Sequence, residues 1–334
     1  MKFLSCLASA LRSSHTPFLA RLSREWVIAF SLSIIIVASY LIAFAPPADF
    51  PAGSTVRIAH GDSVPEIAEG LAEAHVIAHP TLFRVMLRFA GTSGSVRSGA
   101  YLFEEPENLL TVAYRLVAGD YGLPPVRMTF VEGVTVREAA LQIAGALDDI
   151  SAGDFSQAAR AYEGYLFPDT YFFQQGVDID AIIMVMRSNF EKKIASIADA
   201  IDASGRPLSE IVIMASLIEK EARTSEARRM VSGILWNRIE RRMPLQVDAV
   251  FGHIFERATY SPSFADLKVD SLYNTYTHTG LPPGPICNPG LDALIAAVHP
   301  AKTNYLYYLT GKDGRMHYAT TYAGHQANQR EYLK

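Results

Sequence analysis

One segment near the start constrains this chain more than any other: residues 26–45 contain no charge in twenty consecutive positions. As a helix, this segment would be about 30 Å long, which matches the hydrocarbon thickness of a bilayer. A proline-rich linker follows it directly, beginning with Pro46 and Pro47. The segment therefore predicts a single transmembrane helix over residues 26–45, whereas a buried core helix is not expected just before such a linker.

The charges beside this segment predict its orientation. Four basic residues and one acid precede or border it: Lys2, Arg12, Arg21, Arg24 and Glu25. The positive-inside rule then places residues 1–25 in the cytoplasm and the chain from residue 46 onward on the other side of the membrane. A cleaved signal peptide is the alternative, because residues 43–45 read Ala-Phe-Ala. The length of the apolar run and the proline directly after the cut disfavour cleavage.

Composition limits the class of the remaining chain. The 334 residues leave room for two or three compact units, and a net charge of −4 gives no basic stripe for nucleic acid. Cys6 and Cys287 lie on opposite sides of the predicted membrane helix, so we expect no disulfide. The histidines late in the chain, at positions 253, 278, 299, 317 and 325, form no His-Glu-x-x-His motif and no close pair, so we expect no metal site. We expect no organic cofactor either.

Two strand–turn–helix units of similar spacing follow the linker at residues 46–54. In the first, a strand over residues 55–59 leads through Gly61 to a helix whose Ser63 and Glu66 are spaced as a capping box. The second unit has the corresponding residues Arg127–Val131, Gly133, Thr135 and Glu138. The match predicts a duplicated small module, although capping boxes are common enough for a chance match.

The chain from residue 127 onward is predicted to form one larger domain, and residues 55–126 a smaller, membrane-proximal one. The larger domain has four predicted helices, a hairpin and a terminal helix: residues 180–197, 209–223, 225–241 and 291–299, strands 305–309 and 317–320, and residues 322–333. Helices mixed with short strands, without regular strand–helix–strand alternation, predict an α+β fold.

The predicted helix over residues 209–223 carries the strongest chemical signal, because its apolar run ends in Glu219, Lys220 and Glu221. A carboxyl group beside such a run loses hydration, which raises its pKa toward the range of a general acid. Glu219 and Glu221 face different sides of the helix, and the residues sharing the face of Glu219 are small or apolar enough to receive a ligand closely. The alternative is that both are surface charges, with Glu219 paired to Arg223.

Five segments, in order, resemble the YceG-like (MltG) family, whose members are membrane-anchored endolytic murein transglycosylases. They are residues 215–222 (ASLIEKEA), 236–248 (WNRIERRMPLQVD), 273–276 (YNTY), 280–290 (GLPPGPICNPG) and 299–303 (HPAKT). Residues 163–171 (EGYLFPDTY) match as well, so the resemblance covers essentially the whole chain after the anchor. It implies that residues 55–126 are a LysM-like subdomain and residues 127–334 the catalytic domain.

The resemblance implies that Glu219, the first Glu of the triplet, is the catalytic acid and base. A lytic transglycosylase needs no water, because the C6 hydroxyl of muramic acid attacks the anomeric carbon and forms a 1,6-anhydro ring. One carboxyl therefore suffices where ordinary glycosidases use two. Glu219 would be protonated at rest, give its proton to the glycosidic oxygen and then take the proton of the C6 hydroxyl.

Five hydrogen-bonding residues in the matching segments are expected to bind the glycan: Asn237, Gln246, Asp248, Asn274 and Tyr276. Asp248 would either stabilise the oxocarbenium-like transition state or position Gln246. The Tyr- and Pro-rich segment over residues 273–286 is stiff enough to wall a cleft, or else is simply a rigid turn. After Asp248 the sequence AVFGH departs from the family pattern, which leaves the surrounding contacts open.

By this resemblance the chain is a single-pass protein of the bacterial inner membrane with its catalytic domain in the periplasm. It would cleave nascent glycan strands internally and so end their elongation. Its expected partners are peptidoglycan glycan strands and the membrane-bound synthases that make them. Two alternatives remain: a non-catalytic glycan-binding scaffold for a synthase, and a hydrolase that uses Glu219 with Asp248 or Glu163.

Overall fold

A computed structural model describes residues 24–59, 61–90, 96–147, 149–257 and 261–334. The chain divides into two compact units, of which the first ends at Leu123 and the second begins at Pro124. Cys6 and nearly all of the predicted cytoplasmic segment lie outside the described residues, as does part of a Gly/Ser-rich stretch over residues 91–95.

Helix α1 (Arg24–Phe44) covers all but the last residue of the membrane segment predicted over residues 26–45. Over Trp26–Phe44 it is long and apolar enough to cross a bilayer, and it is the only such helix among the described residues. Its large apolar side chains are exposed, as is expected of a helix whose surroundings are lipid rather than protein. This N-terminal helix is consistent with a membrane anchor.

The first unit combines one antiparallel strand pair with three short helices. Strand β1 (Ser54–Ile58) pairs with β2 (Gly99–Phe103), and the helices are α2 (Val64–Glu73), α3 (Pro80–Phe89) and α4 (Leu109–Ala118). The capping box predicted at the start of α2 is confirmed: the Ser63 N–H donates to Glu66 at 2.7 Å. Apolar side chains from all five elements form one core, with Tyr101 and Phe83 fully buried.

The predicted linker at residues 46–54 is attached to the core of this unit. Phe44, at the end of α1, and Phe50 both pack against the core, and the Phe50 ring meets the edge of Phe103 at 5.8 Å. Asp49 pairs with His75 at 2.8 Å. The end of helix α1 and the small domain are therefore joined by side-chain packing as well as by the chain itself.

The second unit begins with strand β3 (Val126–Thr129), which pairs antiparallel with β4 (Thr170–Phe173). Helices α5 (Val136–Ala144), α6 (Ala152–Ala159) and α7 (Ile179–Ala195) pack with this pair around one apolar cluster. The second predicted capping box is also confirmed, because the hydroxyl of Thr135 accepts the Glu138 N–H while the Glu138 carboxylate accepts the Thr135 N–H.

A second cluster in this unit is built around helix α9 (Leu208–Glu221). All eight residues from Ile211 to Ile218 are buried, so the helix is covered on every side. Its neighbours are short helix α8 (Ala198–Ser204), α10 (Ser225–Glu240), α11 (Val250–Ile254) and α12 (Leu291–Val298). The chain turns sharply after α9: Ala222 is extended, and the Thr224 hydroxyl caps α10 by accepting the Ala227 N–H at 3.2 Å.

The chain ends in a hairpin of β5 (Tyr307–Thr310) and β6 (Met316–Ala319), followed by helix α13 (Tyr322–Tyr332). The strand predicted over residues 305–309 begins two residues before β5 does. The strand predicted over residues 317–320 begins one residue after the start of β6. Tyr308 and Met316 pack against the cluster around α9, which fixes the hairpin on this unit. Three two-stranded sheets among many helices confirm the predicted α+β class.

Candidate active site

The last turn of α9 directs its two glutamates into different surroundings. Glu219 meets the start of helix α12, whereas Glu221 meets strand β5 and the loop after α10. The prediction that the two side chains do not share a face is confirmed. The pKa and the accessibility of each carboxyl are therefore set by a different group of neighbours.

Glu219 is held by two strong donors. Its side chain is 4% exposed, and the Arg228 guanidinium donates from Nη2 to Oε1 at 2.5 Å. The backbone N–H of Gly290, the residue that precedes α12, donates to Oε2 at 2.9 Å. Both bonds favour the ionised carboxylate, since neither donor can accept a proton from it.

Arg228 extends this contact into a cluster of charges. It also donates to Asp292 at 2.8 Å, lies 3.7 Å from Glu132, and donates from Nε to the Ala222 carbonyl at 3.1 Å. The pKa of Glu219 is raised above its ordinary value, because burial and the charges of Glu132 and Asp292 outweigh the opposing effects of Gly290 and Arg228. The alternative considered from the sequence, a surface pair of Glu219 with Arg223, is wrong, because the partner is Arg228 on the next helix.

The face of α9 that carries Glu219 is closed by the segment after the Pro-rich loop. The Ser216 hydroxyl accepts the Ile286 N–H at 3.1 Å, and the Cys287 thiol donates to the Ser216 carbonyl at 3.3 Å. Ser216 and Ala215 are completely buried. The expectation that this face receives a ligand is therefore wrong: the chain itself fills it.

Glu221 has fewer charged partners than Glu219. The Tyr308 hydroxyl donates to its Oε2 at 3.0 Å, and the backbone N–H of Ala249 also donates to the carboxyl. Burial raises the pKa of Glu221 to about 7, and the nearby negative charge of Asp248 contributes to that rise. A carboxyl with this pKa can hold a proton near neutral pH and can also release it.

Asp248 and Tyr276 lie beside Glu221 and reach the surface. The Tyr276 hydroxyl donates to Asp248 Oδ1 at 2.5 Å, and Asp248 itself is exposed. Burial and the neighbouring carboxylates of Asp248 and Glu221 raise the pKa of Tyr276, so its hydroxyl stays protonated and remains a donor.

Gln246 is also exposed at this site, and its backbone adopts a left-handed φ of 53°. Its N–H donates to the Thr275 carbonyl at 3.0 Å, and Val247 donates to the Thr275 hydroxyl at 2.9 Å. The guanidinium of Arg238 donates to the Gln246 side-chain oxygen at 3.4 Å. These bonds hold the segment with Gln246 and Asp248 against the segment with Tyr276.

The two predicted asparagines both have hydrogen-bond partners within the chain. The Asn274 side chain is completely buried, donates to the carbonyls of Leu267 and Val269, and accepts the Tyr276 N–H. The Asn237 amide donates to the Thr303 carbonyl at 2.8 Å. A direct glycan contact from Asn274 would require these bonds to break, so the structure gives it the role of shaping the loop that presents Tyr276.

Glu163, the third carboxyl considered from the sequence, caps helix α5. Its oxygens accept the Val136 N–H at 3.0 and 3.1 Å, and the Asn288 amide donates to it at 3.2 Å. Burial raises the pKa of Glu163 to about 7. Its bonds are used in joining α5 to the segment before α12, a structural function.

Sequence reasoning missed Tyr308 and Arg228, the two residues that most distinguish the glutamates. Arg228 lies nine positions after Glu219, and Tyr308 lies 87 positions after Glu221. The sequence around Arg228 and around Tyr308 contains no motif that indicates a site. Their role follows only from the fold, which brings them to opposite sides of α9. Among the described residues, no group of three or more His, Cys, Asp or Glu side chains is arranged to hold a metal ion.

Comparison with known proteins identifies the family of the chain. The sequence profile of the YceG-like family matches residues 56–331. The endolytic murein transglycosylase of Bacillus subtilis (strain 168) is 29% identical over 305 residues, which cover 83% of this chain and 84% of the relative. The protein of the same name from Streptococcus pneumoniae (strain D39) is 27% identical over 84% of this chain, which spans only 58% of that longer relative.

A solved structure agrees with this result. The crystal structure of a yceG-like protein from Listeria monocytogenes matches 82% of this chain and 98% of its own, with 27% sequence identity and a TM-score of 0.57. The resemblance inferred from the five sequence segments is thereby confirmed in both sequence and fold. The chain belongs to the YceG-like family.

Proposed function

We propose that this chain is an endolytic peptidoglycan lytic transglycosylase. It cleaves the bond between N-acetylmuramic acid and N-acetylglucosamine within nascent strands and leaves 1,6-anhydro ends, which stops their elongation. Two observations support this activity: the family match with relatives named endolytic murein transglycosylase, and an enclosed carboxyl with a raised pKa beside exposed polar side chains. The second observation carries the mechanism.

The acid of this reaction is one of two glutamates, and the surroundings favour Glu221. Glu219, the residue predicted from the sequence, has both oxygens bonded to Arg228 and Gly290 on a face filled by the chain. Glu221 has a pKa raised to about 7 and lies beside Asp248, which is exposed to solvent. We therefore assign the catalytic role to Glu221 and a structural role to Glu219, which remains the rival for the acid.

In this mechanism Glu221 donates its proton to the glycosidic oxygen as the bond to the anomeric carbon breaks. The C6 hydroxyl of the same muramic acid residue then attacks that carbon, and ionised Glu221 accepts the hydroxyl proton. The carboxyl is thus returned to its protonated state and no water is consumed. Because the nucleophile belongs to the substrate, its orientation contributes through effective concentration, which is worth several kcal/mol in well-aligned cases.

Asp248 has two roles in this proposal. Its negative charge raises the pKa of Glu221 and so keeps the acid protonated before the reaction. The same charge stabilises the positive charge that develops on the sugar ring in an oxocarbenium-like transition state. Gln246 and Tyr276 would hydrogen-bond the glycan at the exposed end of the site, and Tyr276 orients Asp248.

The finer points of cellular role are also proposals. Helix α1 would anchor the protein in the inner membrane, with the N-terminus in the cytoplasm and the second unit in the periplasm. The first unit, residues 55–126 in the sequence prediction, would act as a LysM-like subdomain that binds glycan. At that membrane face the natural partners would be nascent strands and the synthases that produce them.

Digestion of purified glycan strands by the full-length protein in detergent tests the activity. We expect products with 1,6-anhydro ends by mass spectrometry, and their loss in the Glu221→Gln variant. Reducing-end products, heavier by one water, would instead support a hydrolase. Binding of strands without any cleavage by the wild type would support a scaffold.

A further inference from the structure

We infer that Tyr308 is a positioning residue, which determines the oxygen of Glu221 from which the acidic proton is delivered. It lies on β5 of the C-terminal hairpin, 87 positions after Glu221, and no sequence motif points to it. The inference rests on the proposed function, because it requires Glu221 to be the acid. The inference assigns a role in the active site to the C-terminal hairpin, which otherwise has only a structural function.

The hydrogen bond defines the geometry of the carboxyl. The Tyr308 hydroxyl donates to Oε2 of Glu221 at 3.0 Å. Burial raises the pKa of this hydroxyl far above its ordinary value, so it stays protonated and remains a donor at every physiological pH. An oxygen that accepts this bond is a poor place for the proton of the acid, so the bond from Tyr308 favours Oε1 as the site of that proton.

The hairpin holds this hydroxyl in place from both strands. Tyr308 lies opposite Tyr318 in the antiparallel pair, and its side chain packs with Met316 against the cluster around α9. Tyr307, the preceding residue, points to the other face of β5, where its ring contacts Tyr322 and His325 on α13. Because side chains alternate along a strand, Tyr308 contacts Glu221 whereas Tyr307 contacts the terminal helix.

The charged and titratable groups around Glu221 come from three other elements besides β5. Asp248 follows α10, Tyr276 lies in the later loop, and Arg238 on α10 acts electrostatically on Tyr308. Asp248 favours the protonated carboxyl, whereas the bond from Tyr308 favours the ionised one. Tyr308 therefore keeps the pKa from rising further, so that the acid can both give and recover a proton.

Removing the hydroxyl while keeping the ring tests this role. Tyr308→Phe removes the hydroxyl that donates to ionised Glu221, so the pKa of Glu221 should rise. The alkaline limb of the kcat/KM profile should therefore move to higher pH by about one unit. The value of kcat should fall about tenfold because the proton is no longer confined to one oxygen, while KM stays within about twofold. A purely structural tyrosine would lower thermal stability without moving the pH profile.

The experiment compares four forms of the full-length protein in detergent, acting on purified glycan strands: wild type, Tyr308→Phe, Tyr307→Phe and Glu221→Gln. Tyr307→Phe is the matched control and should keep the wild-type profile. An unchanged profile in Tyr308→Phe, with Glu221→Gln inactive, overturns the inference and leaves the proposed function intact. Activity in Glu221→Gln instead overturns the assignment of the acid itself.

A fluorinated tyrosine at position 308 keeps the test decisive even if the phenylalanine variant folds poorly. It preserves the ring and the hydroxyl but makes the hydroxyl a stronger donor, so the alkaline limb should move to lower pH. Opposite shifts from the two substitutions support the inference. A fluorinated protein with a wild-type profile contradicts it.

Discussion

Replacing Glu219 with Gln should destabilise the protein while leaving its catalytic activity largely intact. Arg228 and the Gly290 N–H both donate to this carboxylate, at 2.5 and 2.9 Å. An amide has one oxygen, so one of the two donors must then face the NH₂ group and lose its bond. The side chain at this position is 4% exposed, and water cannot readily replace the lost acceptor.

The structure also sets the size of the effect. Breaking a buried ion pair commonly costs about 3–5 kcal/mol. Arg228 keeps Asp292 at 2.8 Å and Glu132 at 3.7 Å, so its charge is not left unpaired, and the cost should fall to about 2–3 kcal/mol. For a domain of this size, such a loss lowers the melting temperature by about 5–10 °C.

Thermal unfolding followed by circular dichroism measures this loss, with activity assayed well below the transition. Glu191→Gln is the control, because it makes the same substitution in an exposed pair with Arg187 at 3.6 Å and should cost at most about 0.5 kcal/mol. A Glu219→Gln variant that is as stable as wild type yet inactive would refute the structural role. It would restore the sequence-based prediction that Glu219 is the acid.

Other predictions follow from the two carboxyls with pKa values near 7. Asp248→Asn removes a charge that raises the pKa of Glu221, so the alkaline limb of kcat/KM should move to lower pH, and an unmoved limb would show that Asp248 does not act on the acid. Glu163 has a folded pKa of about 7, above the ordinary value of 4.5, and therefore binds its proton more tightly when folded. Its contribution to the free energy of unfolding is full below about pH 4.5 and is lost as pH rises through about 7. Urea unfolding of Glu163→Gln should lack this part of the pH dependence, and an unchanged slope would contradict the assignment.

Much of the local structure could be predicted because its causes are local. Helix α1 is specified by an unbroken apolar run, and the two capping boxes by residues three positions apart, Ser63 with Glu66 and Thr135 with Glu138. The apolar run before Glu219 likewise predicts a helix with reduced hydration at its end. Patterns of this kind are decided within one or two turns of chain.

The details of the site could not be predicted because long-range contacts decide them. Apolar neighbours on α9 act on Glu219 and Glu221 alike, yet only the fold brings Arg228 to one and Tyr308 to the other. The Asn274 amide is a suitable sugar ligand by composition, but the loop around it uses both donors and its oxygen. Residue type therefore indicates which groups can bind a glycan, and burial determines which are free to do so.

The most direct test of the proposed mechanism is the mass of the products released from purified glycan strands by wild type, Glu221→Gln and Glu219→Gln. We predict 1,6-anhydro ends from the wild type and from Glu219→Gln assayed below its transition, and none from Glu221→Gln. Anhydro products from Glu221→Gln, or wild-type products that carry an added water, would contradict the account of a single enclosed carboxyl acting without water.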